Sequence, residues 1–301
     1  MSFRLAYYGT PGLSARYLEA IVSAGHDVRY VVTRPPKRRG RGSAVLASPV
    51  GEVAADLGII TVFSISEAEM LSDAEPVDVS VVVAYGRIIP PQLLDKNLFL
   101  NIHYSLLPKF RGAAPMERAI LAGDEVSGVA LMKMEEGLDT GPVFETLEMP
   151  IGSLSLQQVS DGLTELGIEL LLSWLSRDDI FTVEPLPQAG EATYANKISS
   201  VEYRIEPSMT TGDALGRVRL GRGFVEVGGK RVIIEDATRG PVGESADGRE
   251  PGAIVRMAGG KWGIILQDGL LEVSRVRPEG KSTMDFSSFM NGIRSDQAAI
   301  V

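Results

Sequence analysis

Cysteine is absent from this 301-residue sequence, and histidine and tryptophan occur only twice each. Without cysteine there are no disulfides, no thiolate nucleophile and no zinc–thiolate site, and the composition suits a reducing compartment. Histidine scarcity works against a metal centre: His103 has no histidine or cysteine companion, and no metal is expected. No serine sits in a G-x-S-x-G elbow, which weakens a serine-nucleophile reading. No apolar run approaches the ~20 residues needed to span a bilayer. "MSFRLAYYGTPG" lacks the charged region, long apolar segment and cleavage site of a signal peptide. Together these absences point to a cytoplasmic protein. Positive charge is in deficit, 30 Lys and Arg against 39 Asp and Glu, for a net charge of −9. That balance argues against a surface that coats nucleic acid or anionic membrane everywhere, though not against a local basic patch. The 44% hydrophobic content supplies a sizeable core, and the length allows two domains.

The first half alternates strand and helix patterns. "FRLAYYG" (3–9) reads as a strand and "TPGLSARYLEAIVSAG" (10–25) as a helix, with Thr10 placed to cap it and Pro11 at its first position. Strands are expected at 26–33, 59–64, 78–86, 99–105 and 127–135, and helices at 48–58, 114–123 and 155–176. "DVSVVVAYG" (78–86) is nearly all apolar and β-branched, as a strand buried on both faces must be. Strand–helix alternation implies a doubly wound, mostly parallel sheet. Residues 183–207, rich in Pro, Ala, Ser and polar residues, read as a linker laid over the surface. Beyond them, a helix at 210–220 precedes short strands. Gly-Gly at 228–229 and 259–260 and Asp-Gly at 268–269 are hairpin signals, which together predict a small β-barrel or sandwich. The expected division is a catalytic α/β domain over 1–182, the linker, and a β-barrel domain over 208–301.

"LNIHYSLLP" concentrates the chemistry. Asn101 and His103 lie two apart on a strand and so share a face. The strand runs into a loop at its carboxyl end, where open α/β sheets bind ligands. Downstream, "EEGLDTGPVF" puts Asp139 between the turn formers Gly137 and Gly141, where it can meet His103 and fix its tautomer. Amide, imidazole and carboxylate suit acyl transfer: Asn polarises a carbonyl and holds an oxyanion, His moves a proton, Asp orients His. Taken alone, the same residues also fit a structural histidine after a strand and an ordinary turn aspartate.

The stretch "NIHYSLLPKFRGAAPMERAILAGD" with "SGVALMKMEEGLDTGPVF" resembles the folate-dependent formyltransferases. "RGAAPMERAI" and "GLDTG" are similar to their methionyl-tRNA branch, and "YYGTP", "VVVAYGRIIP" and "TYANKIS" agree in order across residues 1 to about 200. The resemblance implies a Rossmann-like formyltransferase domain followed by an OB-like barrel. It implies transfer of the formyl group of 10-formyltetrahydrofolate, as cosubstrate, to the α-amine of initiator methionyl-tRNA, with the protein a monomer. It makes Asn101, His103 and Asp139 catalytic. It assigns Ser105, Leu106, Leu107 and Pro108, with Tyr85, Gly86, Ile88 and Ile89, to the folate site.

"RPPKRRGRG" (34–42) packs five cations between Arg34 and Arg41 and has no apolar periodicity. As composition alone it is a solvated loop. By resemblance it is the loop that enters the tRNA acceptor stem, with Arg38, Arg39 and Arg41 as tRNA-binding residues. The second half departs from the family pattern: "YRIEP" and "RLGRGFVEVGGKR" stand where tryptophans and a Pro-Gly turn are usual. An acceptor other than tRNA, such as an amino sugar, therefore stays open at this level. So do a hydrolase in which water replaces the amine and an RNA-binding protein without chemistry.

Overall fold

The structure is a computed structural model that describes residues 2–38, 45–241, 249–294 and 298–300. The chain divides into two compact units. The first comprises residues 1–115, 126–150 and 160–196, and the second 116–125, 151–159 and 197–301.

In the first unit, β1 (Arg4–Gly9), α1 (Gly12–Ser23), β2 (Asp27–Val32), α2 (Pro49–Asp56), β3 (Ile60–Val62), α3 (Ile65–Ala74), β4 (Val79–Val83) and β5 (Leu98–His103) follow in order. After α4 (Pro115–Leu121), which from residue 116 on belongs to the second unit, come β6 (Val126–Lys133), β7 (Val143–Pro150) and α5 (Leu156–Leu175), the last of which belongs to the first unit from residue 160 on. The seven-stranded sheet has the order β7-β6-β5-β4-β1-β2-β3. The β5, β4, β1, β2 and β3 strands are parallel, while β6 and β7 are antiparallel. The doubly wound expectation therefore holds, with an antiparallel pair added at one margin. β4 is buried at every position, so its Val-Ser-Val-Val-Val run serves both faces. One face carries Tyr8, Tyr30, Phe99, Leu93, Ile89 and Tyr85 in a single apolar cluster.

Helix starts follow local chemistry, with one correction. Thr10 does not cap α1. Pro11 holds the N-cap position without a side-chain bond, and its carbonyl accepts from Ala15 N, so the helix begins one residue later than expected. Ser48 caps α2 by accepting from Gly51 N at 2.9 Å. α3, missing from the sequence reading, opens on a reciprocal capping box between Ser64 and Glu67.

In the second unit, α6 (Thr211–Arg219) precedes β8 (Phe224–Val227), β9 (Lys230–Arg239), β10 (Ile254–Arg256), β11 (Trp262–Leu266) and β12 (Gly269–Pro278), followed by α7 (Phe286–Met290). The antiparallel order is β8-β9-β12-β11-β10. Gly228 and Gly229, with φ of 56° and 73°, make the β8–β9 hairpin turn that their sequence predicted. Bridges from Ala299 to Ala253 and from Ile300 to Val227 join the two ends of the sheet, forming a barrel. Its interior holds Val225, Val232, Ile234, Ile264, Leu271 and Phe286, each at most 1% exposed.

Candidate active site

β5 supplies two of the three predicted residues. Asn101 and His103 lie on one face and are buried, at 8% and 5% exposure. The following residue, Tyr104, faces the other way. Its hydroxyl donates to Tyr17 on α1 at 3.0 Å and lies 3.4 Å from Thr164 on α5. A buried hydroxyl network on one face thus anchors the strand end that presents the imidazole on the other.

The loop between β6 and β7 brings in Asp139. Its Oδ2 lies 3.6 Å from His103 Nδ1 and accepts from Gly112 N at 2.7 Å. Asp139 has a φ of 51°, in the left-handed region, where Asp is among the better-tolerated non-glycine residues. The flanking glycines serve different needs. Gly137 has a φ of 124°, which favours glycine. Gly141 is required for space, because a Cβ there would stand 1.9 Å from the Lys133 carbonyl oxygen.

A group the sequence did not reveal holds the other ring nitrogen. His103 Nε2 lies 2.9 Å from the carbonyl oxygen of Phe110. A carbonyl only accepts, so Nε2 carries a hydrogen, and Nδ1 is the ring nitrogen turned toward Asp139. Phe110 holds this position with a φ of 59°, and its N–H donates to Thr193 Oγ1 at 2.9 Å. Residues 186–195, expected as linker, are built into this arrangement. Leu186 exchanges backbone bonds with Val143, and Tyr194–Ala195 pairs in parallel with Arg111–Gly112. Backbone groups carry no residue identity, so Phe110 O and Gly112 N gave no signal in the sequence.

The residues expected at the folate site separate by exposure. Ile88 is 90% exposed, whereas Ile89 and Tyr85 are buried in the apolar cluster of the sheet face. Gly86 has a φ of 76° in the turn between them. Leu106, Leu107 and Pro108 are partly exposed. Ser105 is fully buried, and its hydroxyl donates to Lys109 O at 2.5 Å, so it staples the turn. A cavity of about 580 Å³ lies along Asn97, Lys133, Met134, Glu135 and Phe144; it contains none of Asn101, His103 and Asp139.

Of the basic residues, Arg38 is exposed on the two-residue strand Lys37–Arg38. Arg39 and Arg41 lie outside the described residues. Among the described residues no group of three or more His, Cys, Asp or Glu is placed to hold a metal ion, and no helix is long and apolar enough to cross a membrane.

Comparison with known proteins shows the family. The formyl transferase family model matches residues 4–174, and the formyl transferase C-terminal domain model matches residues 222–294. The methionyl-tRNA formyltransferase of Rhizorhabdus wittichii is 36% identical over 304 residues, covering 96% of this chain and 95% of its own. That of Jannaschia sp. is 38% identical over 304 residues, covering 97% of each. Among solved structures, an N-formyltransferase from Helicobacter canadensis, in complex with folinic acid and dTDP-3-aminofucose, superposes with a TM-score of 0.66. It is 18% identical and covers 92% of this chain and all of its own, a likeness of fold. The chain belongs to the formyl transferase family and, within it, to the methionyl-tRNA formyltransferases.

Proposed function

We propose that this enzyme transfers the formyl group of 10-formyltetrahydrofolate to the α-amino group of initiator methionyl-tRNA. The observation that carries the reading is the held imidazole: Nε2–H bound to Phe110 O, and Nδ1 3.6 Å from the Asp139 carboxylate. The neutral amine attacks the formyl carbon, and the carbonyl oxygen gains negative charge in the tetrahedral intermediate. The Asn101 amide donates to that oxygen. His103 Nδ1 takes the proton released by the amine. The resulting imidazolium is stabilised by Asp139, whose carboxylate is itself fixed by Gly112 N–H. The bond from the formyl carbon to the folate nitrogen then breaks, and the proton passes from His103 to that nitrogen.

In this reading the folate lies against Gly86, the exposed Ile88 and the Leu106–Pro108 turn. The buried Tyr85, Ile89 and Ser105 support that surface from below. Residues 1–182 form the catalytic domain, residues 208–301 a tRNA-binding barrel, and 183–207 the connection. Arg38, Arg39 and Arg41 contact tRNA phosphates. The enzyme acts as a monomer in the cytoplasm.

The test is formyl transfer from 10-formyltetrahydrofolate to charged initiator methionyl-tRNA, with elongator methionyl-tRNA as control. Transfer to the initiator alone is expected. Transfer instead to a small amine such as a nucleotide-linked amino sugar would overturn the acceptor assignment and leave the chemistry standing.

A further inference from the structure

We infer that Gln188 is a positioning residue of this site: one side-chain amide fixes the loop carrying Asp139 against the turn carrying Phe110 and Gly112. The inference rests on the formyl-transfer reading for its effect on rate, but not for its geometry. Gln188 Nε2 donates to two carbonyl oxygens, those of Asp139 and Gly141, each at 2.8 Å. Its Oε1 accepts from Arg111 Nε at 3.1 Å and Nη2 at 2.7 Å. Both amide hydrogens and both acceptor positions of the oxygen are thereby used.

Arg111 is the residue between the two backbone groups that hold the pair. Phe110 O holds the imidazole, and Gly112 N holds the carboxylate. A single amide thus sets the separation of both partners, from a segment 49 residues beyond Asp139 in sequence. Asp139 and Phe110 both have positive φ, a backbone state that persists only where the surroundings over-determine it. Gln188 supplies that constraint at Asp139, as Thr193 does at Phe110. The guanidinium fork also polarises the amide, which strengthens its N–H donors.

The sequence offers a direct test, because His26 is the only other histidine. Protein labelled with 15N-histidine gives two imidazoles, assigned by the His103→Ala variant. In the wild type His103 should show the Nε2–H tautomer. Gln188→Glu keeps an acceptor for Arg111 but turns a carboxylate oxygen toward two carbonyl oxygens. Gln188→Met keeps the length and removes every bond. Arg111→Lys keeps the cation and loses the fork. In each folded variant the His103 nitrogen shifts should move toward a tautomer mixture, while those of His26 stay fixed. The kcat for formyl transfer should fall at least tenfold, with KM for 10-formyltetrahydrofolate within threefold of wild type. His103 shifts superimposable on the wild type in the folded variants would overturn the inference, even if activity fell. The spectrum needs no substrate, so a wild-type enzyme unable to formylate methionyl-tRNA would refute the proposed function while the spectrum still decides the role of Gln188.

Discussion

Gly112→Ala should damage both stability and catalysis, by amounts the structure sets. Gly112 has a φ of 126°, a conformation that costs a residue with a Cβ about 1–3 kcal/mol. The new methyl would lie 2.9 Å from the Ala195 carbonyl oxygen. That neighbour is backbone within a strand pairing, so relief requires residues 111–112 and 194–195 to separate by a few tenths of an ångström. Strain and contact together come to about 2–4 kcal/mol. At about 2–4 °C per kcal/mol for a domain of this size, Tm should fall by about 5–15 °C. The same shift moves the N–H that donates to Asp139 Oδ2 at 2.7 Å. A weakened charge-assisted bond, worth about 1.5–3 kcal/mol, leaves the imidazolium less well stabilised in the transition state. Formyl transfer should slow about 10- to 100-fold in kcat. Gly58→Ala is the control. Gly58 has a φ of 70° with nothing within 4 Å of the added Cβ, so it incurs left-handed strain alone, about 1 kcal/mol, and leaves kcat unchanged. Calorimetry and steady-state kinetics on the two variants decide the matter. A Gly112→Ala enzyme as stable as Gly58→Ala, with kcat within threefold of wild type, would refute the reasoning.

Four further outcomes are expected. His103→Ala should abolish transfer while folate affinity, read by fluorescence titration, changes little; a fall in activity under tenfold would remove His103 from the chemistry. Asn101→Ala should cost ~100- to 1,000-fold in rate, the usual loss for one oxyanion donor, and a loss smaller than tenfold would place the oxyanion elsewhere. Glu202 is held down to about 2, first by the Arg118 guanidinium, 2.6 Å away, and then by Ser199 N and Oγ. A lowered carboxylate stabilises the folded state above its ordinary value of 4.5, and that contribution disappears as pH falls toward 2. With a third of its side chain exposed, solvent screening reduces it to about 1 kcal/mol. Glu202→Gln should therefore flatten the dependence of Tm on pH between 4.5 and 2, and parallel curves would show that the ion pair adds nothing. Replacing Arg38, Arg39 and Arg41 together by Ala should raise KM for tRNA and reduce its salt dependence, as loss of phosphate contacts requires; an unchanged salt slope would dissociate the loop from tRNA.

Legibility in the sequence tracked how local each determinant is. β4 could be read because five buried residues in a row leave little else for Val-Ser-Val-Val-Val to be. The spacing of Asn101 and His103 gave their shared face, and the glycines around Asp139 marked its turn. α3 was missed although Ser64-x-x-Glu67 is a local signal, because the helix buries only Ala68 and Ser72 and so lacks an apolar stripe. β7 was missed for a related reason: it lies at the sheet margin, and no position along it is fully buried. Phe110 O, Gly112 N and the Gln188 amide are invisible for a different reason. The first two are backbone groups, and the third acts across 49 residues from a polar, proline-bearing segment that resembles any connection. The site's groups of known type were readable; the scaffold that sets their distances was not.

The bridges at Ala299 and Ile300 bear on how the barrel unit fails. Without them, β10 would present unpaired N–H and C=O groups and β8 would be covered only where Arg204 bridges Phe224, and such edges are the template on which separate molecules join strand to strand. The sheet of the first unit limits this hazard differently, with a three-residue edge at β3 and the carboxylates of Glu145 and Glu148 on its other margin. The barrel relies at that seam on closure by residues 299–300 and on the short pairing of Arg204 and Ile205 with Phe224. Loosening residues 298–300 should therefore appear first as aggregation in solution, before any loss of helix or strand content from the folded molecule.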